Sequence, residues 1–445
     1  MKLIIDVHAH IFNAMDIPLK GYLLSRKFDG LLAHLAQYLI PLLASYIRGR
    51  LNPGKKNIVI QKLLGPIALQ IACKFVGKEY KKWSETLSKQ VVDVTSEMVQ
   101  TFEKDGIDLY VPLMIDYEYW FKNTSDNPIH DQIDLLYKNI IVPYKGKIHP
   151  FVAFDPAREL AFRKGMDNPD GEPETHGSMS LVKDAIENKG FIGVKLYNAM
   201  GYRPFNNNIV DEKRRQIALH KKKYIFRGEE YDKVLSELYD YCVENGVPIT
   251  THCRMDGSES YRDASFDFGH AILWRQVLDQ DRYKNLHLNL AHFGWNKKQM
   301  HKGNRSWVKE ICEMLTQYDN LYTDVAQHEV VIDKNMPKFK TAYKELIAEF
   351  DVLKERLLFG IDWHVIKRVK NFENFKSCYI EVLKSNNLFS DREIDDFLGS
   401  NALKFLGLLP GGKNRKRIEE FYTKESIEPP EWFKVASKNP EKNMR

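Results

Sequence analysis

The sequence predicts an α/β fold: a (β/α)8 TIM barrel with a helical insertion after its first strand and a C-terminal extension. Three observations carry that expectation. Eight short runs rich in β-branched and aromatic residues recur through the 445 residues, at 3–7, 107–115, 148–155, 191–197, 247–253, 286–292, 321–325 and 357–362. Helical patterns separate most of them, and parallel strands need such crossovers because no hairpin can join them. Eight such βα units make a closed barrel the leading arrangement.

Each element justifies its place. Residues 230–244 set Tyr231, Val234, Leu235, Leu238, Tyr241 and Cys242 at helical spacing, and Asn245-Gly246 stops the helix just before the fifth run. Residues 83–102, 179–188 and 308–318 also read as helices that precede strands. The rhythm breaks twice. The stretch between the first and second runs is too long for a βα loop. Within it, 22–47 and 58–76 read as apolar helices around Pro53-Gly54, so 15–85 is expected to be a helical insertion acting as a lid or a subunit contact. The second break, 198–227, holds Gly201, Pro204 and Asn206-Asn207-Asn208 and reads as a loop on the same barrel face. Residues 1–409 are taken as the barrel domain, and 410–445, opening on Pro410-Gly411-Gly412, as an extended C-terminal arm.

Composition narrows the function classes. Sixty-six basic and 60 acidic residues give a net charge of +6. The two dense basic runs, 220–223 and 413–417, lack interleaved aromatics, so no nucleic-acid platform is expected. Five cysteines (Cys73, Cys242, Cys253, Cys312 and Cys378) without CxxC spacing indicate neither a disulfide framework nor a thiolate zinc site. Asp6, His8 and His10 interrupt the apolar start, so no secretory leader is expected. The most apolar stretch, 31–47, falls short of the ~20 residues that span a bilayer. The expectation is a cytoplasmic protein with no membrane span, acting on a small molecule and assembling as a homo-oligomer.

Chemistry gathers at the ends of the runs. His8 and His10 stand at i and i+2 of the first strand, where side chains share one face. An HxH pair is a weak signal alone. His252 closes the fifth run, His292 the sixth and Asp362 the eighth. In a (β/α)8 barrel the carboxyl ends of all strands converge, so these five residues are expected to meet. Imidazoles with a carboxylate form a borderline-soft set suited to Zn²⁺, with Mn²⁺, Fe²⁺ or Co²⁺ as alternatives.

The sequence also resembles the amidohydrolase superfamily, in the amidohydrolase-related branch that includes decarboxylases similar to aminocarboxymuconate-semialdehyde decarboxylase. The motifs are Asp6-Val7-His8-Ala9-His10, Gly193-Val194-Lys195-Leu196-Tyr197, Thr251-His252-Cys253, Ala291-His292-Phe293-Gly294, Gly360-Ile361-Asp362-Trp363 and 400–408. The resemblance implies that His8, His10, His252 and Asp362 bind the metal, with Asp362 also the general base. It implies that His292 polarises substrate or binds a second ion. Lys195 stands where some members carry a carbamate bridging two metals; the open alternatives are that bridge, an unmodified lysine on substrate, or a buried salt bridge.

The implied reaction is metal-dependent hydrolysis of an amide, lactone or ester in a small carboxylate-bearing substrate. Non-oxidative decarboxylation or hydration of an unsaturated or aromatic acid is the alternative, and a non-catalytic binding protein on this scaffold the second. By loop position Arg254, Arg203, Tyr197 and Trp363 are the candidate substrate contacts.

Overall fold

The computed structural model describes residues 3–25, 85–121, 123–210, 226–255, 257–261, 263–295, 306–333 and 336–438. The fold is mixed α/β with parallel strands. They are β1 (Ile5–Ala9), β2 (Leu109–Pro112), β3 (Phe151–Ala153), β4 (Gly193–Leu196), β5 (Ile249–His252), β6 (Leu288–Ala291), β7 (Leu321–Asp324) and β8 (Leu357–Leu358). Seven lie inside the runs read from the sequence, and β1 extends two residues beyond its run.

β1 pairs with β2, and β3 to β8 pair in consecutive order, all parallel. Bridges from Tyr110 to Ile148 and from Leu113 to Phe151 join β2 to the start of β3. At the other edge Val7 N donates to Phe359 O at 3.0 Å and Asp362 N to His8 O at 2.7 Å, tying β8 to β1. Every strand residue is buried. Parallel strands covered on both faces need such near-continuous apolar runs. Gly360 lets β8 approach β1, since a Cβ there would lie 2.8 Å from His8 Cβ.

The helix between β4 and β5, Gly228–Asn245, turns Tyr231, Val234, Leu235 and Leu238 inward. Gly246, at φ 60°, ends it in the left-handed conformation that glycine takes without a Cβ penalty. The insertion expected at 15–85 begins with a short helix, Leu19–Ser25, and from 26 to 84 lies outside the described residues. Residues 211–225 of the second expected loop also lie outside them.

The C-terminal extension corrects one expectation. It is not an extended arm but two helices, Lys413–Lys424 and Glu431–Lys438, packed against the amino ends of the strands. Asn414 Nδ2 donates to Ile192 O and Leu406 O, and Trp432 Nε1 to Gly146 O. Tyr422 donates its hydroxyl proton to His149 Nε2 at 2.8 Å, while His149 Nδ1 donates to Gly190 O at 2.7 Å. Ile418, Phe421, Tyr422, Trp432 and Phe433 are buried there. The basic run 413–417 opens the first helix, and its Arg415 caps Leu408 O and Phe433 O rather than facing only water.

Candidate metal centre

Four imidazoles meet where the strands end. The His8 ring centroid lies 5.5 Å from that of His10 and 4.6 Å from that of His292, which lies 4.8 Å from that of His252. His8 Nδ1 contacts Asp324 Oδ2 at 3.1 Å and His10 Nδ1 contacts Leu113 O at 2.7 Å. A carbonyl or carboxylate only accepts, so each Nδ1 carries the proton and each Nε2 offers a lone pair. His8 Nε2 is buried with no hydrogen-bond partner among the described residues. His10 Nε2 lies 3.9 Å from Asp362 Oδ1, itself buried and without a hydrogen-bond partner. Burial pushes the His8, His10 and His292 imidazoles well below their usual range, so they are neutral bases.

Donor atoms of His8, His10 and Asp362 lie within 4.8 Å of one another, as do those of His8, His292 and Asp324. These orphaned lone pairs in a buried, neutral-imidazole cluster fit a divalent cation: nothing else among the described residues satisfies them. His252 joins the cluster through His292 and belongs to neither three-donor group. Tyr197 stacks on the His252 ring at 4.3 Å and 12°. Gly257, at φ 129°, closes over that ring; a Cβ there would lie 3.0 Å from His252 Nε2 and 2.9 Å from the Tyr197 hydroxyl.

Asp362 follows β8 in the left-handed conformation, φ 55°. Burial pushes its carboxyl up to about 7, against the opposing pull of Arg254, Lys195 and Arg368. His292 is also left-handed, φ 65°, followed by Phe293 at 51° and Gly294 at 60°. That turn costs the two non-glycine residues about 1 kcal/mol each and is held from both sides. His292 N donates to Asp324 Oδ1 at 2.9 Å, and His328 Nε2 donates to His292 O at 3.1 Å. His292 Nδ1 donates to Ala326 O at 3.1 Å, which leaves a lone pair, not a proton, on Nε2.

Asp324 was not among the residues that sequence reasoning selected. It is fully buried and accepts from His8 Nδ1, Asn289 Nδ2, His292 N and Ala326 N. Its signal was present, since it closes β7 as His252 closes β5.

The remaining sequence candidates divide. Lys195, on β4 between Ala153 and Thr250 in register, is 2% exposed; its Nζ has no hydrogen-bond partner among the described residues, and burial pushes it down to about 8. Arg254 is buried, its charge bears on Asp362 and His292, and its Nη1 lies 3.4 Å from Gln327 O. Trp363 is fully buried and donates Nε1 to His10 O at 2.7 Å, which places it behind His10. Arg203 bonds through its main chain to Asn207, and its charge pairs with that of Asp232; none of its contacts among the described residues reaches the imidazoles.

Neutral imidazoles and carboxylates gathered at the carboxyl ends of parallel strands define a class of enzyme built around a divalent ion. A family model described as amidohydrolase matches residues 146–408, and the chain belongs to the amidohydrolase family. As a member it is an enzyme, which sets aside the non-catalytic reading. A comparison with curated proteins gave no match. Among solved structures it is similar to a protein named as a metal-dependent hydrolase, from Lactobacillus casei: 14% identity over 91% of this chain and 95% of that one, TM-score 0.48. It is similar to 4-oxalomesaconate hydratase of Rhodopseudomonas palustris, at 12% identity over 95% and 99%, TM-score 0.45. A zinc-bound amidohydrolase of Burkholderia multivorans shares 10% identity over 70% and 87%, TM-score 0.40. Among the described residues no helix is long and apolar enough to cross a membrane.

Proposed function

We propose that this chain is a metal-dependent hydrolase on a closed (β/α)8 barrel, cleaving an amide, lactone or ester bond of a small carboxylate-bearing substrate. The observation that carries the reading is the pair of orphaned, buried donors His8 Nε2 and Asp362 Oδ1 beside His10 Nε2. His8, His10, His252 and Asp362 would hold the ion, zinc being the first candidate for such a set. A divalent ion held there supplies Lewis acidity and lowers the pKa of a water from ~15.7 to ~7.

The chain's own residues do the rest. Asp362 would take the proton of the attacking water and return it to the leaving group. The Ala326 carbonyl assigns the His292 proton to Nδ1, so Nε2 serves as a base or a further ligand rather than as a donor to a substrate carbonyl. Asp324 fixes the His8 ring and the His292 turn together. Arg254, buried beside Asp362, is the guanidinium suited to a substrate carboxylate, while Lys195 stays an unmodified cation facing substrate.

The test is a panel of amides, lactones, esters and unsaturated acids given to the metal-loaded enzyme. Hydrolysis of one carboxylate-bearing class supports the reading. Carbon dioxide release or hydration without hydrolysis replaces it with the lyase alternative.

A further inference from the structure

Beside the metal donors, at the carboxyl ends of β2, β3 and β4, lies a small recess with room for about one water-sized group, of whose lining the reaction outlined above uses only Lys195. Lys195 and Asp155 both line it, each 2% exposed. Lys195 Nζ and Asp155 Oδ2 are both buried with no hydrogen-bond partner among the described residues. Two such atoms on residues that line one cavity are costly unless something bound there satisfies both.

Asp155 is held so that only Oδ2 is left to offer. Its Oδ1 accepts from Trp120 Nε1 at 3.1 Å and from Ala157 N at 3.0 Å, capping the helix Pro156–Arg163. Asp116 adds a second carboxylate to the wall. The nearest guanidinium, Arg158, is already engaged by Asp116, Glu118 and Glu174, each at 2.6 Å. An incoming carboxylate would thus meet two carboxyl groups and a single cation. Burial and the neighbouring Asp116 push the Asp155 carboxyl well up, and a donor to Oδ2 opposes that shift by favouring the ionised form. The rest of the wall mixes aromatic side chains, among them Trp120, Tyr197 and Tyr202, with aliphatic ones such as Met114 and Met200.

We infer that this recess is a substrate subsite for a neutral group carrying both an acceptor and a donor, a hydroxyl or a primary amide. The acceptor meets Lys195 Nζ and the donor meets Asp155 Oδ2. Because Tyr197 also stacks on His252, the subsite adjoins the metal centre. The inference rests on the hydrolase reading only for calling the ligand a substrate. It adds a polar group separate from the carboxylate assigned to Arg254.

The experiment follows the Trp120 indole N–H, which is bonded to Asp155 Oδ1, by NMR of the zinc-loaded full chain labelled at tryptophan. Benzyl alcohol, benzamide and benzoate are titrated in turn. The alcohol and the amide should move the Trp120 signal at concentrations at least about tenfold below benzoate, the scale of one hydrogen bond to a charged group. Asp155→Asn keeps an oxygen for Trp120 and Ala157 but turns the free pole into a donor, so the order should invert in favour of benzoate. Lys195→Met should abolish the alcohol and amide response while leaving the Trp120 signal dispersed. Benzoate preferred by the wild type, no response to any compound, or an unchanged order in Asp155→Asn overturns the inference. Bound zinc is measured on the same samples. Loss of zinc with the preference intact sinks the hydrolase reading alone.

Discussion

Asp324 Oδ2 sits 3.1 Å from His8 Nδ1, carboxylate against imidazole, with both side chains at most 1% exposed. The other oxygen accepts from the His292 amide at 2.9 Å, so one residue sets the tautomer of one imidazole and the backbone turn of another. Asp324→Asn would set an amide N–H against His8 Nδ1–H and misorient the ring. Metal affinity should fall about 10- to 100-fold with the fold intact, read by competition against a chelator. An unchanged affinity would show that His8 is held by packing alone.

Gly257→Ala tests the cover over His252. The residue sits at φ 129°, and its Cβ would press on His252 Nε2 and the Tyr197 hydroxyl. We expect a loss of about 1 to 3 kcal/mol in stability and a larger loss of metal retention than Gly106→Ala. Gly106 is also left-handed, at φ 65°, but its Cβ would meet nothing within 4 Å. Urea unfolding and metal analysis of the two variants make the comparison.

His149 links the C-terminal helices to pH. Burial pushes its imidazole down to about 4 from an ordinary 6.5, and the neutral ring joins Tyr422 to Gly190. Between these values the unfolded chain binds the proton and the folded chain does not, so stability falls as pH drops from 6.5 to about 4. The contribution lost is about 3 kcal/mol. In His149→Gln the slope of stability against pH over that window should flatten, measured by chemical unfolding at a series of pH values. An unchanged slope would contradict the assignment.

Arg158 balances three carboxylates with side chains 3 to 6% exposed, and is itself 4% exposed. Arg158→Met leaves them buried without a cation and should cost about 3 to 5 kcal/mol at neutral pH. The loss should shrink at acid pH as the carboxylates take up protons, which separates it from a simple packing defect.

The strand order was legible because parallel strands buried on both faces must be runs of apolar residues, and the chain carries eight. The imidazole cluster was legible because His8, His252 and His292 each sit at a strand's carboxyl end. Asp324 and Asp155 were not. In a chain with 60 acidic residues a single aspartate at a strand end looks like solvated surface until its partners are known. The C-terminal helices were read as an arm because Pro410-Gly411-Gly412 and the basic run outweighed the spacing of Ile418, Phe421 and Tyr422. Their docking depends on main-chain carbonyls of distant segments, such as Ile192 O and Gly146 O, which no local pattern reveals. The tautomer of His292 is likewise fixed by Ala326, 34 residues away.

The most direct test is the metal content of the purified chain and of its His8→Ala and Asp362→Ala variants after dialysis against Zn²⁺ and then metal-free buffer. A four-ligand centre predicts about one tightly held ion per wild-type chain and little in either variant, with the variants' folds preserved by circular dichroism. A wild-type chain that retains no ion, or variants that retain as much as the wild type, would contradict the metal centre on which the account stands.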